Sequence, residues 1–426
     1  MVYVLSYDGQ PLMPTNRHGK VRRLLKLDLA KVVNKNPFTI QLLYKSKTYT
    51  EPLTLGVDTG SGTLATAVSD DDGAIYYMSE VTVRNDITDK MVQRAKYRRN
   101  RRNRKTRYRK ARFLNRGNST KKERFSPTMR SKIHTHQKEI AYVKSVLPVT
   151  QTVLETGMFD MHLMKNPVLA NEKMRHWGYQ KGVNYGFADT KARVLHRDGY
   201  TCQCCKGRRK DAKLEVHHIV YRSNGGSDDA DNLITLCHTC HKAVHRGSIT
   251  LKLSGSKKST LSFATQMNSI CTQLLKAYPD AIETFGSVTK ENRQIAGLPK
   301  EHYTDACIIA TDGKKPLFKT ITVYKKYRVP KGDYQQTKGI RSEQRITTGK
   351  IQGFRKFDKV QYFGNEYFIK GRMSSGYAIL MYADGTKADF SHMPKGFKTP
   401  KLSNLKRVGA RNAWTITKDT VIQSTA

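Results

Sequence analysis

Short apolar runs separated by turn residues fill the first part of the chain. An alternating run lies at Phe38-Thr39-Ile40-Gln41-Leu42, a second apolar run leads from Leu53 to Asp58, and Asp70-Asp71-Asp72-Gly73 turns into Ile75-Tyr76-Tyr77. Period-two alternation interrupted by Asp-Gly is typical of strands joined by hairpins. The pattern predicts a small αβ unit over residues 1–50, and then a β-meander whose first strand ends on the carboxylate of Asp58.

Helices and strands are predicted to alternate through the rest of the chain. Helical or strand periodicity recurs at Ile133 to Val146, at Thr152-Val153-Leu154 before Glu155, at Ser262 to Lys276, at Ile282 to Phe285, and at 301–310. From about residue 350, aromatic and basic residues alternate between turns at Gly364-Asn365 and Asp384-Gly385. This tail predicts a small C-terminal β-barrel with a basic face. The fold class predicted overall is multidomain α/β and α+β.

The net charge of the chain indicates what kind of partner it binds. Lysine and arginine number 77 against 35 acidic residues in 426 positions, which leaves a formal charge of +42. A chain of this length is expected to hold two to four domains, and self-repulsion of this size requires a polyanion as partner. No run of about 18 apolar residues and no signal or lipid-anchor pattern is found, so no membrane partner is expected. Nucleic acid is the expected partner.

The basic residues are concentrated between residues 94 and 116. This segment holds 13 lysines and arginines in 23 positions, with no proline and no acidic residue to pair at i to i+4. Positive charge on all sides of a helix excludes packing inside a protein core and suits phosphates that approach from several directions. The predicted nucleic-acid contacts are Arg94, Arg98, Arg101, Arg102, Arg104, Arg109 and Arg112.

Two C-x-x-C pairs lie in the middle of the chain. Cys202 with Cys205, and Cys237 with Cys240, supply four thiolates at the spacing of a structural, tetrahedral zinc site. Buried free cysteines would not explain two pairs at one spacing, and Cys204 is left as an unliganded neighbour. Because five of the seven cysteines are clustered, a secreted disulfide framework is not expected, and a reducing intracellular compartment is.

Histidines and one asparagine are interleaved with these cysteines. In order and spacing this set resembles the HNH, or ββα-metal, nuclease motif, and it comprises His217, His218, Asn232, His241 and His245. The resemblance implies that His218 is the general base, that His217 and His241 hold one Mg²⁺, and that Asn232 orients His218 or the loop around it. His245 is either another ligand or a phosphate contact. A zinc finger whose histidines are incidental is the alternative, but the four cysteines already satisfy the zinc.

Three carboxylates far apart in sequence each follow a strand or open a helix. Asp58, Glu155 and Asp305, in the order strand, hairpin, strand and then His302-x-x-Asp305, resemble the RuvC nuclease of the ribonuclease H-like fold. The resemblance implies a fold split into three segments, with the HNH domain inserted before the last. Clustered carboxylates would hold two Mg²⁺ ions, and His302 would serve as base or phosphate contact.

These features together resemble the IscB family of transposon-encoded RNA-guided nucleases, related to the type II CRISPR effectors. Pro11-Leu12-Met13-Pro14 matches the N-terminal module of that family, and Thr59 departs from it where proline often follows the aspartate. The resemblance divides the chain into a PLMP module (1–50), RuvC segments (51–93, 117–160 and 251–315), a bridge helix (94–116), linkers (161–186 and 316–349), an HNH domain (187–250) and a target-adjacent-motif domain (350–426).

The family resemblance implies an RNA-guided endonuclease of double-stranded DNA. The HNH site would cut the guide-paired strand and the RuvC site the displaced strand, while the tail would read a short motif beside the target. The expected assembly is a monomeric protein with a structured guide RNA, in the cytoplasm or nucleoid of a prokaryote. Two alternatives remain: an HNH homing or restriction endonuclease without RNA, and a zinc-ribbon nucleic-acid-binding protein without catalysis.

Overall fold

The computed structural model describes residues 1–103, 125–159, 164, 171, 184–208, 211–251, 261–330, 334–336, 343–345 and 349–421. The chain forms two compact units. The first comprises Met1–Gly157 and Ser269–Ala426, and the second, Met158–Asn268, is inserted between them. Within the described residues, no helix combines the length and the apolar character needed to cross a membrane.

Helices and strands are numbered here in chain order. The helices of the described part are α1 His18–Lys26, α2 Ile87–Asn103, α3 Pro127–Val146, α4 Thr190–Arg197, α5 His238–His245, α6 Leu261–Ala277, α7 Gly286–Ile295 and α8 His302–Ala310. The strands up to the second unit are β1 Val2–Leu5, β2 Pro11–Thr15, β3 Ala30–Lys35, β4 Phe38–Leu42, β5 Leu53–Asp58, β6 Thr63–Ser69, β7 Ala74–Thr82 and β8 Val149–Glu155. The later strands are β9 Leu214–His218, β10 Leu233–Cys237, β11 Ile282–Thr284, β12 Leu317–Phe318, β13 Thr322–Arg328, β14 Tyr334–Gln336, β15 Glu343–Arg345, β16 Lys359–Tyr362, β17 Asn365–Arg372, β18 Ala378–Met381, β19 Lys406–Gly409 and β20 Trp414–Thr420.

A small sheet at the N-terminus packs on one helix. Its strands lie in the order β2-β1-β4-β3, and α1 contributes Val21 to a core with Val2, Ile40 and Leu42. The hydroxyl of Tyr3 donates to the carbonyl of Tyr76 over 3.0 Å. This bond ties the module to the central sheet of the same unit.

The central sheet organises the first unit. Its strands follow the order β11-β8-β5-β6-β7-β13-β20, with β12 also paired to β7. Strands β5, β6 and β7 form the predicted antiparallel meander, whereas β8 runs parallel to β5, and β11 runs parallel to β8. Parallel neighbours end at the same edge of a sheet, so the sequence positions that follow β5 and β8 lie side by side.

Helix α8 packs directly on this sheet at a glycine. A Cβ on Gly56 would lie 2.5 Å from the carbonyl oxygen of Ala306, which is far inside van der Waals contact. Ala306 and Cys307 are fully buried against Ala65, Ala67 and other residues of β6 and β7. Glycine at position 56 therefore allows α8, which carries His302 and Asp305, to approach β5 closely.

A buried ion pair between Glu139 and Lys326 fixes helix α3 to strand β13 of the central sheet. Lys326 Nζ donates to Glu139 Oε1 and to the hydroxyl of Tyr77, each over 2.6 Å, and Ser79 Oγ donates to the same carboxylate over 2.7 Å. Both charged side chains are essentially excluded from solvent. Lys326 Nζ, Ser79 Oγ and the Tyr77 hydroxyl all donate to Glu139 Oε1, and these hydrogen bonds compensate the burial of its charge.

Helix α3 begins earlier than hydrophobic periodicity predicts. Ser126 caps the helix by accepting from the backbone N–H of Met129, and Pro127 occupies its first turn. Serine followed by proline is a helix start signal, because the hydroxyl satisfies a free N–H and proline lacks one. The predicted start at Ile133 is therefore too late.

The arginine-rich helix also begins before the basic run. Helix α2 starts at Ile87 rather than at residue 94, and Ile87 and Tyr97 are buried. The expectation that residues 94–116 cannot pack in a protein core is thus wrong at Tyr97, which is buried within the basic run. Arg94 and Arg98 are exposed on it, and Arg101 and Arg102 continue its helical backbone. Arg104, Arg109 and Arg112 lie outside the described residues.

The tail contains an open sheet in the order β18-β17-β16-β19. Among the described strands none closes this sheet, so the predicted barrel is not confirmed. Its hairpin turn consists of Phe363 and Gly364, because Tyr362 pairs with Asn365, and this places the turn one residue before the predicted Gly364-Asn365. Strand β20 does not join the tail sheet but pairs antiparallel with β13 in the central sheet.

Candidate functional site

The second unit builds a ββα arrangement. Strand β9 pairs antiparallel with β10, with His217 opposite Ile234 and His218 opposite Leu233. Helix α5 begins immediately after β10, at His238. The two adjacent histidines of β9 point to opposite faces of the strand, so they cannot share one function.

Three histidines converge on one face. The ligating nitrogens of His217, His241 and His245 lie within 4.8 Å of one another, so these side chains could hold a metal ion. Histidines four residues apart on α5 share a helix face, which brings His241 and His245 together. Burial, and then the nearby charges of His241 and His245, lower the pKa of His217 to about 4. His217 is thereby kept neutral, which is the form that binds a metal.

Glu215 anchors one of these histidines from behind. Glu215 Oε2 lies 2.6 Å from Nδ1 of His241, and Oε1 lies 3.1 Å from Nδ1 of His238. A carboxylate on Nδ1 fixes the tautomer and leaves Nε2 of His241 directed toward His245, 3.2 Å away. Sequence reasoning missed Glu215, although its position two residues before His217, on the same face of β9, was a usable signal.

His218 has a different environment, consistent with a different role. Its Nε2 lies 2.9 Å from Asp228 Oδ1, and Arg222 Nε donates to the same oxygen over 2.7 Å. With Nε2–H donating to the carboxylate, Nδ1 is the ring nitrogen that can accept a proton. Asp228 and Arg222 were not predicted, because both lie in a loop without periodicity.

Asn232 shapes that loop. Its buried amide accepts from the N–H of Val220 over 2.9 Å and donates to the carbonyls of Val220 and Ser227 over 2.9 and 2.8 Å. A Cβ on Gly226 would lie 2.8 Å from the Asn232 amide nitrogen, so glycine is required there. Of the two roles considered for Asn232, the contacts match that of orienting the loop around His218.

We expect replacement of Asp228 by alanine to slow hydrolysis at the histidine site by about 10- to 100-fold, because the tautomer and ring orientation of His218 would no longer be fixed. The effect should fall on kcat rather than on KM, since Asp228 contacts His218, the expected base. Single-turnover nicking of a plasmid measures it. The neighbouring exposed Asp229 is the matched control, and Asp229→Ala should retain the normal rate. Equal rates for both variants would remove Asp228 from the mechanism.

Four cysteines lie beside the histidine cluster in the same unit. The sulfurs of Cys202, Cys205, Cys237 and Cys240 lie within 4.8 Å of one another, and could bind zinc. Burial raises the pKa of the Cys237 and Cys240 thiols. A buried set of this kind is stabilised as thiolates only by a cation, which fits a zinc site. Cys204 packs against the cluster without joining the group of four.

The carboxylates of the first unit meet at one edge of the central sheet. Asp58 ends β5 and Glu155 ends β8, and the parallel pairing of Val57 with Leu154 places both at the same level. Thr59 Oγ1 donates to the carbonyl of Glu155 over 2.6 Å, so the threonine that departs from the family pattern ties the two strand ends together.

Asp305 comes to this edge through helix α8. A reciprocal cap between Glu301 and Thr304 starts the helix at His302 and puts Asp305 in its first turn. His302, three residues before Asp305 on the same helix, lies 2.7 Å from Asp58 Oδ2, so the first turn of α8 is held at the end of β5. The three distant sequence positions are therefore brought together.

Each carboxylate has its own partner. His302 Nδ1 lies 2.7 Å from Asp58 Oδ2, and Thr289 Oγ1 donates to Glu155 Oε2 over 2.7 Å. Arg293 Nε forms an ion pair with Asp305 Oδ1 at 2.7 Å. Thr289 and Arg293, on α7, were not predicted, because their periodicity is that of an ordinary surface helix.

Burial dominates the electrostatics of this cluster. It raises the pKa of Glu155 to about 7, with further increases from the charges of Asp58 and Asp305, although the Thr289 hydroxyl opposes the shift. Burial likewise raises the pKa of Asp58 and of Asp305. The hydrogen bond to Asp58 raises the pKa of His302. A bound cation would offset the repulsion between carboxylates in such a site. Because carboxylate oxygens are hard ligands, a hard divalent cation suits it.

Comparisons with known protein families match two segments of the chain. Residues 2–182 match the family described as RRXRR protein, and residues 202–247 match HNH endonuclease. The sequence Arg98-Arg99-Asn100-Arg101-Arg102 within α2 spells out the first name. The HNH match contains all four cysteines, the three clustered histidines, His218 and Asn232.

Three curated relatives match over short segments. Anaredoxin of Nostoc sp. is 30% identical over 69 residues, which are 16% of this chain and 88% of the relative. The probable mobile endonuclease C of Enterobacteria phage T4 is 44% identical over 52 residues, or 12% of this chain and 24% of the relative. The type IV methyl-directed restriction enzyme EcoKMcrA of Escherichia coli is 50% identical over 61 residues, or 13% of this chain and 22% of the relative. The chain thus spans less than a quarter of each of the two endonucleases.

Among solved structures, the chain is similar to a crystal structure of Streptococcus thermophilus Cas9 in complex with the AGAA PAM. The similarity covers 57% of this chain and 32% of that chain, with 14% identity and a TM-score of 0.32. A second crystal structure of that Cas9, with the GGAA PAM, gives the same TM-score at 16% identity. From the matched segments and the geometry of the second unit, the chain contains an RRXRR segment and an HNH endonuclease domain.

Proposed function

We propose that the chain is an RNA-guided endonuclease of double-stranded DNA with two active sites. The histidine site of the HNH domain cuts the strand paired to the guide, and the carboxylate site, of RuvC type, cuts the displaced strand. The observation that supports this most is the pairing of the histidine cluster in the second unit with the carboxylates at one edge of the central sheet in the first. Two chemically different sites of this kind could each cut one strand of an open duplex.

In the HNH site, His218 takes a proton from the attacking water through Nδ1. Asp228 accepts a hydrogen bond from Nε2–H of His218 and stabilises the imidazolium that forms. His217, His241 and His245 would hold one divalent ion, which supplies electrostatic stabilisation of the scissile phosphate and of the leaving oxygen. Glu215 keeps His241 oriented for this task.

In the carboxylate site, Asp58, Glu155 and Asp305 supply hard oxygen ligands, which suit Mg²⁺. These three carboxylates would hold the ions, and the ions would supply electrostatic stabilisation of the charge that develops at the scissile phosphate. His302 lies against Asp58 and is half exposed, so it can contact a phosphate or accept a proton. We assign residues 51–93, 117–160 and 251–315 to this split RuvC fold, in agreement with the strand order that joins β5, β8 and β11.

The charge supports a nucleic-acid partner beyond the substrate. A protein of +42 with a 13-cation segment needs more phosphate than a short DNA contact provides. A structured RNA would supply it and would also carry sequence specificity by base pairing, while the tail would read the adjacent motif.

We expect the purified chain to carry one defined structured RNA, identified by sequencing of the copurified nucleic acid. Ribonuclease treatment should abolish site-specific cutting of DNA, and a re-supplied transcript of that RNA should restore it. Random cellular RNA together with site-specific cutting that resists ribonuclease would point instead to an HNH endonuclease that reads DNA by direct contact.

A further inference from the structure

The turn between β16 and β17 holds a phenylalanine in an unusual backbone conformation. Phe363 and Gly364 are the two turn residues, with φ of 46° and 78°. Two-residue turns with both φ values positive favour asparagine, aspartate or glycine at the first position. A bulky side chain there is an outlier that strains the backbone, and such residues concentrate at ligand sites.

The Phe363 ring is not buried in the protein core. Phe363 is 54% exposed, although its ring packs edge to face on Phe397, with centroids 5.3 Å apart and an interplanar angle of 82°. Phe397 is itself 40% exposed. The two rings form an aromatic corner at the tip of the hairpin, which we call the Phe363–Phe397 corner. Packing against the core of the tail sheet covers only part of the apolar surface of these two rings.

The corner is held rigidly from below. The ring of Phe363 also packs on Tyr362, at 4.6 Å between centroids, and Tyr362 is buried in the core of the tail sheet. The hydroxyl of Tyr362 donates to the carbonyl of Phe397 over 2.9 Å, and Gln361 Nε2 donates to the carbonyl of Gly364 over 3.1 Å. Both rings are therefore positioned before any ligand arrives, which reduces the entropic cost of binding.

Lysines flank the second ring of the corner in sequence. The loop of Phe397 carries Lys395, Lys398 and Lys401, and no acidic residue lies between positions 390 and 418. An apolar partner alone would not require these cations. A flat apolar ring joined to a negative charge, as in a nucleotide, satisfies both the aromatic rings and the lysines.

We propose that the Phe363–Phe397 corner stacks on an unpaired base of a DNA strand, while the lysines of the Phe397 loop contact the neighbouring phosphates. The proposal rests on the proposed function, in which the tail lies at the DNA beside the target and strand separation leaves bases unpaired there. Aromatic stacking of this kind tolerates any base, so it would hold the opened strand without reading its sequence.

The test uses the full-length chain and short single-stranded DNA that contains 2-aminopurine, whose fluorescence is quenched by stacking. The variant Phe363→Asn removes the ring and places in the turn a residue that tolerates positive φ, so thermal stability should be retained or increased. We expect binding to weaken about fivefold or more, and the quenching to disappear. Phe397→Leu, which keeps apolar bulk without a ring, should weaken binding in the same direction.

Tyr49→Asn is the control, because Tyr49 belongs to the same unit and is 89% exposed. It should bind and quench like the wild type. Equal quenching by wild type and Phe363→Asn would overturn the proposal, as would a lowered melting temperature of Phe363→Asn, since that would show a structural role. Tighter binding, by tenfold or more, of an RNA of the same sequence would overturn the assignment to DNA. The assay needs neither guide nor cleavage, so failure of guided cutting would be recognised separately.

Discussion

Replacement of His218 by alanine is expected to leave a target plasmid nicked in the displaced strand only, and replacement of Asp58 by alanine to leave it nicked in the guide-paired strand only. Each substitution removes the central group of one site, and the two sites lie in separate units. His218→Ala removes the base whose proton acceptor is Nδ1, which should lower the rate at that strand by about 10²- to 10⁴-fold.

Asp58→Ala removes a carboxylate that is paired with His302 and sits among two further acids. Loss of that charge should reduce the affinity for divalent cations and lower the rate at the other strand by a comparable factor. Denaturing gels of strand-labelled DNA distinguish the two products, and the double variant should bind without cutting.

Matched controls are present in the same units. His196 is an exposed histidine of the second unit, and Asp72 is an exposed aspartate of a turn in the first. His196→Ala and Asp72→Ala should cut both strands normally. If either active-site variant lost cleavage of both strands while still binding DNA, the two sites would have to be coupled, and their assignment to separate strands would be wrong.

Replacement of Cys237 by serine should unfold the HNH domain, whereas the active-site substitutions should leave its fold intact. Cys237 ends β10 immediately before α5, the helix that carries His241 and His245, and its sulfur lies 3.9 Å from that of Cys205. Structural zinc sites contribute about 10 kcal/mol or more to folding of small domains. We therefore expect loss of bound zinc, rapid proteolysis within residues 184–251, and loss of cutting by the HNH site, with the carboxylate site still active.

Cys204→Ser tests whether the effect belongs to the four-sulfur group. Cys204 is adjacent to Cys205 and packs on the same cluster, but it is not one of the four. This variant should retain one equivalent of zinc, as measured by atomic absorption, and normal cleavage. Zinc lost from both variants, or retained in both, would contradict the proposed ligand set.

The chemistry of both sites could be predicted from sequence to the extent that it depends on residue type and spacing. Two C-x-x-C pairs and the His217-His218 pair are local patterns, and the HNH match confirms an endonuclease domain there. The carboxylates were placed by the strand or helix that each one adjoins. Their meeting depended on the parallel pairing of β5 with β8, which the resemblance implied and periodicity alone did not.

What sequence reasoning missed depends on contacts between distant or aperiodic segments. Asp228 and Arg222 act from a loop, and Thr289 and Arg293 reach the acids from a helix of ordinary composition. The buried Lys326–Glu139 pair joins residues that are 187 positions apart, and one more lysine in a basic chain gives no sign of burial. Unlike Glu215, whose place on the same strand face as His217 was a usable signal, these residues have no spacing pattern that links them to a site.

Strand β20 changes how the tail is connected to the rest of the protein. The N–H of Val329 donates to the carbonyl of Ala413 over 3.1 Å, and Arg328 pairs with Trp414, so the chain leaves the central sheet and re-enters it at adjacent positions. The tail sheet is therefore an insertion in the loop that joins the antiparallel strands β13 and β20. The inserted sheet is not independent of these strands, because Thr415 Oγ1 of β20 donates to the carbonyl of Ala383 over 2.6 Å and Tyr327 of β13 packs on the part of the tail core that includes Phe357. A truncation that removed β20 would leave β13 paired only with β7 and expose a free edge in the sheet that carries the acids.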